Sequence, residues 1–200
     1  MEHQYRVILL AGPSGSGKSY IARQTGLPVL CLDDFYKNGD DPTLPHRNGQ
    51  VDWDSPQSWD ARTAVDTIAQ LAREGRADVP VYAIGADRRV ATRAFEVDGS
   101  PLFVAEGIFA AEIVEECRRR GLLAGAYALR RPRGATFLRR LARDLAEQRK
   151  APRVLLRRGV ALLRAEPAVL RRQTGLGAEA ARAREVLHRV AGLLASHPHG

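Results

Sequence analysis

The chain has 200 residues, 44% hydrophobic and 27% charged, enough apolar content for the core of one α/β domain and too much for a disordered chain. No run of 18 apolar residues occurs and the first apolar stretch is too short for a signal-peptide core, so no membrane span or secretion signal is expected and cytoplasm is the default location. The formal net charge of +8 is uneven: residues 1–100 carry 11 Lys and Arg against 14 Asp and Glu, residues 101–200 carry 20 against 9.

Residues 6–11, Arg-Val-Ile-Leu-Leu-Ala, form a short apolar, β-branched run that reads as a buried parallel strand. Directly after it stands Gly12-Pro13-Ser14-Gly15-Ser16-Gly17-Lys18-Ser19, which fits the phosphate-loop spacing G-x-x-x-x-G-K-[ST]. The glycines let successive backbone N–H groups point inward at phosphate oxygens, and the helix that follows turns its positive end to the same anion. In that pattern Lys18 reaches the β- and γ-phosphates of ATP and the Ser19 hydroxyl joins the shell of Mg²⁺. Residues 18–24 can wind as the helix, stopped by Gly26-Leu27-Pro28.

A second apolar run, residues 28–32, ends in Asp33-Asp34-Phe35-Tyr36. Carboxylates at the C-terminal end of such a strand lie where open α/β sheets bind ligands, so one could take a proton from an attacking hydroxyl or meet Mg²⁺. A turn or cap acid is the competing reading. Residues 38–49 are rich in turn formers. Residues 51–60 hold Trp53, Trp59, Asp52, Asp54 and Asp60; Trp59 and Asp60 read best as packing and capping for the helix over 61–73, which Gly75 ends, whereas spacing does not decide Asp54. Residues 79–84 and 90–97 read as extended segments or hairpin arms.

Residues 101–107 form a strand ending in an acid, Glu106, at the position expected for a carboxylate on the Mg²⁺ shell; a solvated strand end is the alternative. A charged-faced helix over 110–120 and a strand over 124–129 follow. Residues 133–150 read as a long basic helix, within a lid over 130–153 that could close on phosphates. Another helix over 154–164, a loop over 171–177, a terminal helix over 178–195 and a frayed tail over 196–200 complete the expectation of one domain over 1–200. Cys31 and Cys117 lack metal spacing and read as reduced core residues. With no zinc finger, aromatic RNA platform or recognition helix, nucleic acid is the weaker partner for the basic half.

Taken together, these motifs resemble the uridine kinase family of P-loop kinases over about residues 5–150. The resemblance implies Asp33, rather than Asp34, as catalytic base, with Lys18. Trp53-Asp54-Ser55-Pro56 with Trp59-Asp60 resembles the family's F-D-H-P-x-x-F-D stretch and implies that Asp54 binds the ribose. Pro80-Val81-Tyr82 resembles its P-x-Y segment, where the tyrosine borders the base, and Glu106-Gly107-Ile108 its E-G-I/L segment. Arg139-Arg140 with Arg143-Asp144 resembles its R-R-x-x-R-D lid and implies ligand contacts for Arg140 and Arg143.

The implied function is ATP·Mg²⁺-dependent phosphorylation of the 5′-hydroxyl of uridine or cytidine, the nucleoside lying against Tyr36, Asp54 and Tyr82, with Ser19, Asp33 and Glu106 near the metal. The implied fold is a three-layer αβα sandwich with a parallel sheet of about five strands and a helical lid. The chain departs from the family at Asp87, where a histidine is usual, and at Gln148-Arg149-Lys150 in place of R-G-R; its last strand has no match beyond Pro167. An acid at 87 could accept from an exocyclic amine and favour cytidine. The Asp33-Asp34-Phe35 element also resembles nicotinamide riboside kinases, so a P-loop kinase of another small alcohol, such as nicotinamide riboside or pantothenate, is the alternative.

Overall fold

The computed structural model describes residues 4–97, 99–130 and 167–196. Five parallel strands form the central sheet: β1 (Arg6–Ala11), β2 (Val29–Cys31), β7 (Leu102–Gly107), β8 (Leu123–Leu129) and β9 (Glu179–Ala181), in the order β2-β7-β1-β8-β9. The connection from β1 runs outward to β2, returns through β7 and then crosses to β8, so the sheet switches direction at β1. Ligands of open α/β sheets bind at such a switch, beyond the carboxyl ends of the strands.

Both faces of the sheet are covered, which is why its strands read as unbroken apolar runs. Along β1 the side chains alternate. Val7, Leu9 and Ala11 join one core with α2 (Ala61–Glu74) and α3 (Val114–Arg119), through Ala64, Ile68, Leu71, Val114 and Cys117. Ile8 and Leu10 face the other way, against Ile21 and Ala22 of α1 (Lys18–Gln24) and Val186 and Val190 of α5 (Ala183–Ala195). Each fully buried Val, Leu or Ile among them contributes about 1.5–3 kcal/mol to burial.

Two antiparallel hairpins stand outside the sheet: a short one of β3 (His46–Arg47) and β4 (Gln50–Val51), and a long one of β5 (Arg76–Ala83) and β6 (Arg88–Glu96). The long hairpin packs through β5 on α2 and on the 3-10 turn Leu32–Phe35 that follows β2. As expected from the sequence, Asp60 caps α2 by accepting from the Thr63 amide at 3.0 Å, and Gly75 ends it in a left-handed conformation. Cys117 is buried and Cys31 half-buried, both as free thiols.

Two expectations near the C-terminus are corrected. Residues 171–175, read as loop, belong to a helix, here α4 (167–175). Residues 179–181, read as the start of the terminal helix, are instead strand β9, which pairs with β8, so α5 begins only at Ala183. A three-residue edge strand of Glu-Ala-Ala carries no β-branched signal; its pairing is decided by the free edge of β8. The expected lid over 130–153, with Arg140 and Arg143, the helix over 154–164 and the tail from 197 onward fall outside the described residues, apart from residue 130.

Candidate active site

The loop after β1 has the form its glycines and Ser16 require. The Ser16 amide donates to the Pro13 carbonyl at 3.1 Å, and Gly17 stands at the head of α1 with φ of 84°, a conformation costly for any residue with a Cβ. The N-cap residue of α1, Gly17, has no side chain with which to cap its leading amides. Ser16 and Lys18 are buried, and the Ser16 hydroxyl has no hydrogen-bond partner among the described residues. A buried hydroxyl left unpaired is costly, and a phosphate oxygen in the cradle is the partner its chemistry fits.

Beside the loop lies a cluster of charge. The Ser19 hydroxyl donates to Glu106 Oε1 at 2.6 Å, and Glu106 Oε2, also buried, has no partner among the described residues. Glu106 is only 6% exposed, which removes the reading of a solvated strand end. Burial raises its carboxyl above the ordinary glutamate value; the Lys18 charge and the Ser19 hydrogen bond pull it back down, and the Asp33 charge pushes it up. Asp33 Oδ1 accepts from the Ile108 amide at 3.1 Å, across the sheet from its own turn. Its partner therefore lies beyond β7 and not within the turn, unlike a capping acid. Gly107 permits this approach: a Cβ there would meet Leu32 Cβ at 2.8 Å and Asp33 Oδ1 at 3.0 Å. Lys18, Ser19, Asp33 and Glu106 thus share one neighbourhood at the carboxyl ends of the strands.

An aromatic wall adjoins this cluster. The Tyr36 ring lies 5.8 Å from Trp53, 5.7 Å from Tyr82 and 5.9 Å from Phe109, centroid to centroid. Burial raises the Tyr36 phenol above its ordinary value, with the charges of Asp33 and then Asp54 adding to it, so both acids border this ring. Asp54 itself is exposed. The Tyr82 phenol is pushed up to about 12 by burial and secondarily by Asp87. Asp87 is exposed, takes a left-handed φ of 48°, and its carbonyl accepts from the Gly39 amide at 2.6 Å. The predicted residues Lys18, Ser19, Asp33, Glu106, Tyr36, Asp54, Tyr82 and Asp87 are therefore linked through this neighbourhood. A separate surface pocket of about 360 Å³, lined by residues 37–38, 40–42, Asp60 and Arg89, contains none of them.

Three residues not singled out as functional by the sequence support this site. Asp34 turns away from Asp33 and accepts from the Tyr82 amide at 3.2 Å. Arg89 donates to the Tyr36 and Phe35 carbonyls, each at 3.2 Å, and pairs with Asp60 at 3.3 Å. Gln173 on α4 is buried and donates to the Ile108 carbonyl at 3.3 Å, on the residue whose amide holds Asp33. The partners here are mostly backbone groups, which leave no trace in residue spacing.

Among the described residues no three His, Cys, Asp or Glu side chains gather as a metal cage. Mg²⁺ in phosphoryl-transfer sites is held by one or two protein oxygens together with phosphate oxygens and water. The unpartnered Glu106 Oε2 beside Ser19, and the unpartnered Ser16 hydroxyl in the cradle, fit a metal–triphosphate ligand.

No protein-family profile matches the chain. Curated relatives include a uridine kinase of Lactobacillus johnsonii, 27% identical over 150 residues, covering 71% of this chain and 69% of that one. A uridine kinase of Shewanella denitrificans is 29% identical over 160 residues, covering 74% and 73%. One of Schizosaccharomyces pombe is 31% identical over 148 residues, covering 70% of this chain but 32% of that longer one. The chain is similar to the uridine kinases. Among solved structures, one from Silicibacter sp. TM1040, described as a fructose transport system kinase, superposes with a TM-score of 0.60 at 18% identity over 88% of this chain and 89% of that one, a likeness of fold. Fold, phosphate loop and relatives together make this a P-loop kinase, with the five-stranded parallel sheet expected from the sequence. Among the described residues no helix is long and apolar enough to cross a membrane.

Proposed function

We propose that the protein transfers the γ-phosphoryl group of ATP to the 5′-hydroxyl of a ribonucleoside, uridine or cytidine. The observation that carries this reading is the Asp33 carboxylate, held at the Ile108 amide between the Lys18–Ser19–Glu106 cluster and the Tyr36 aromatic wall. A phosphoryl acceptor must sit at that junction, with its alcohol toward the phosphates and its ring against the wall. The uridine kinases among the relatives support a nucleoside as that acceptor.

In this mechanism the loop amides and Lys18 hold the triphosphate, and Ser19 and Glu106 would hold Mg²⁺, which supplies neutralisation of the charge on the transferring group. Asp33 takes the proton of the 5′-hydroxyl as its oxygen attacks phosphorus in line, the bond to the ADP oxygen breaking as the new one forms. Tyr36, Trp53 and Tyr82 orient the base, and Asp54 accepts from the ribose hydroxyls. Asp87 would accept from the exocyclic amine and favour cytidine; equal turnover of cytidine and uridine before and after Asp87→Ala removes that refinement.

The test is ATP-dependent phosphorylation of a panel of nucleosides, nicotinamide riboside and pantothenate. Turnover of uridine or cytidine, reduced on the order of 10²–10⁴-fold by Asp33→Asn, supports the proposal. Failure to phosphorylate any nucleoside, with or without turnover of another alcohol, overturns it.

A further inference from the structure

The tip of the β5–β6 hairpin is tied to residues 34–39 by a continuous set of hydrogen bonds. Asp34 accepts from the Tyr82 amide, and the Tyr82 hydroxyl returns to the Lys37 carbonyl at 3.3 Å. The Arg89 amide donates to Asn38 Oδ1 at 2.9 Å, while the Arg89 guanidinium holds the carbonyls of Phe35 and Tyr36 and the Asp60 carboxylate. The Gly39 amide donates to the Asp87 carbonyl. Residues 34–39 continue from Asp33 and carry Tyr36, whereas the hairpin carries Tyr82 and Asp87. The two segments have no ladder pairing with each other, so these mostly side-chain bridges set their relative position.

We infer that Asp34 and Arg89 are positioning residues: they clamp the hairpin to the turn, so that the acid that takes the proton and the two rings that border the acceptor form one rigid unit. The inference rests on the proposed function for what the unit holds, but the clamp itself is a property of the hydrogen bonds. Arg89 suits the task because its planar fork reaches two carbonyls and a carboxylate together, which a single ammonium cannot reproduce. Asp34 acts only as an acceptor, so an asparagine can replace it. A base, by contrast, cannot be replaced by asparagine.

The experiment compares Asp34→Ala, Asp34→Asn and Arg89→Lys with Asp33→Asn, using hydrogen exchange at the Tyr82 amide in the protein alone and KM and kcat for uridine or cytidine. Asp34→Ala is expected to speed exchange at Tyr82 about tenfold and raise the nucleoside KM about five- to tenfold, the size of one lost hydrogen bond, with kcat within about threefold. Asp34→Asn recovers most of both losses, Arg89→Lys raises KM in the same direction, and the Asp34→Ala/Arg89→Lys pair falls short of additivity. Unchanged exchange and KM in Asp34→Ala overturn the clamp. So does an Asp34→Asn enzyme whose kcat falls as far as that of Asp33→Asn, which would move Asp34 into the chemistry. The exchange arm needs no turnover, so a wild-type protein inactive on nucleosides would sink the proposed function while exchange still decides the clamp.

Discussion

Gly107→Ala is the sharpest probe of how the Asp33 carboxylate is held. Gly107 does not occupy the left-handed region, so the substitution brings no backbone strain, and by chain entropy alone it would stabilise by about 0.4–1 kcal/mol. Against that stands the added methyl, 2.8 Å from Leu32 Cβ, whereas carbon atoms rest about 3.5–4.0 Å apart. Leu32 is fully buried and its Cβ is fixed to the turn, so it cannot swing aside. Overpacking of this kind costs about 1–3 kcal/mol, leaving a net loss of about 0–2.6 kcal/mol. For a chain of this size that lowers Tm by up to about 10 °C.

The same methyl would stand 3.0 Å from Asp33 Oδ1, inside contact distance, and must displace the carboxylate from the Ile108 amide. A shift of a few tenths of an ångström is expected to lower kcat about 3- to 30-fold, given that an ångström of misplacement can cost 10²-fold. Thermal unfolding and steady-state kinetics measure the two effects. A variant with raised Tm and unchanged kcat would refute the claim that this glycine is there for the approach of Asp33.

Three further outcomes are expected. Because burial raises the Glu106 carboxyl above 4.5, the folded state holds that proton more tightly than the unfolded one, so its contribution to stability falls as pH rises from the ordinary value through the raised one. In the proposed metal role Glu106 acts in its ionised form, so the acid limb of kcat/KM should lie above 4.5 and move down with excess Mg²⁺; a limb at or below 4.5 that ignores Mg²⁺ contradicts that role. Gln173→Leu removes the donor to the part-buried Ile108 carbonyl and should destabilise by about 0.5–1.5 kcal/mol in denaturant unfolding; no change would mean that the carbonyl finds another partner. Trp59→Phe removes the buried 2.7 Å bond from Nε1 to the Leu32 carbonyl and should cost ~1–3 kcal/mol by the same measurement, with unchanged stability refuting it.

The sheet was legible wherever strands are covered on both faces, because Val7 to Ala11 and Leu102 to Ala105 then read as apolar runs bounded by glycine or acid. It was not legible at Glu179-Ala180-Ala181, whose composition favours helix and whose pairing depends on a strand fifty residues earlier. Nor was α4, since Thr174 and Gly175 mimic a break while the left-handed residue past its end is Gly177, with φ of 93°. Within the site, Lys18 and Ser19 followed from a fixed spacing. Glu106 followed from its place at a strand end, but its burial did not. Arg89 and Gln173 were invisible, because a backbone carbonyl is offered by every residue and marks no partner.

The adjacent acids show why the sequence could not divide their labour without the resemblance. In a 3-10 turn consecutive side chains are about 120° apart, so Asp33 and Asp34 must leave the chain in different directions. One direction leads to Gly107 and Ile108 at the end of β7, the other to the Tyr82 amide at the end of β5. Had residues 32–35 continued as a strand, the two acids would have pointed to opposite faces of the sheet, and neither could have bridged its carboxyl end to the hairpin. The turn itself is held by the Trp59 indole on the Leu32 carbonyl and by Arg89 on the Phe35 carbonyl, one at each end. A loss at either end should therefore disturb both acids together, whereas a change in one carboxylate should leave the other in place.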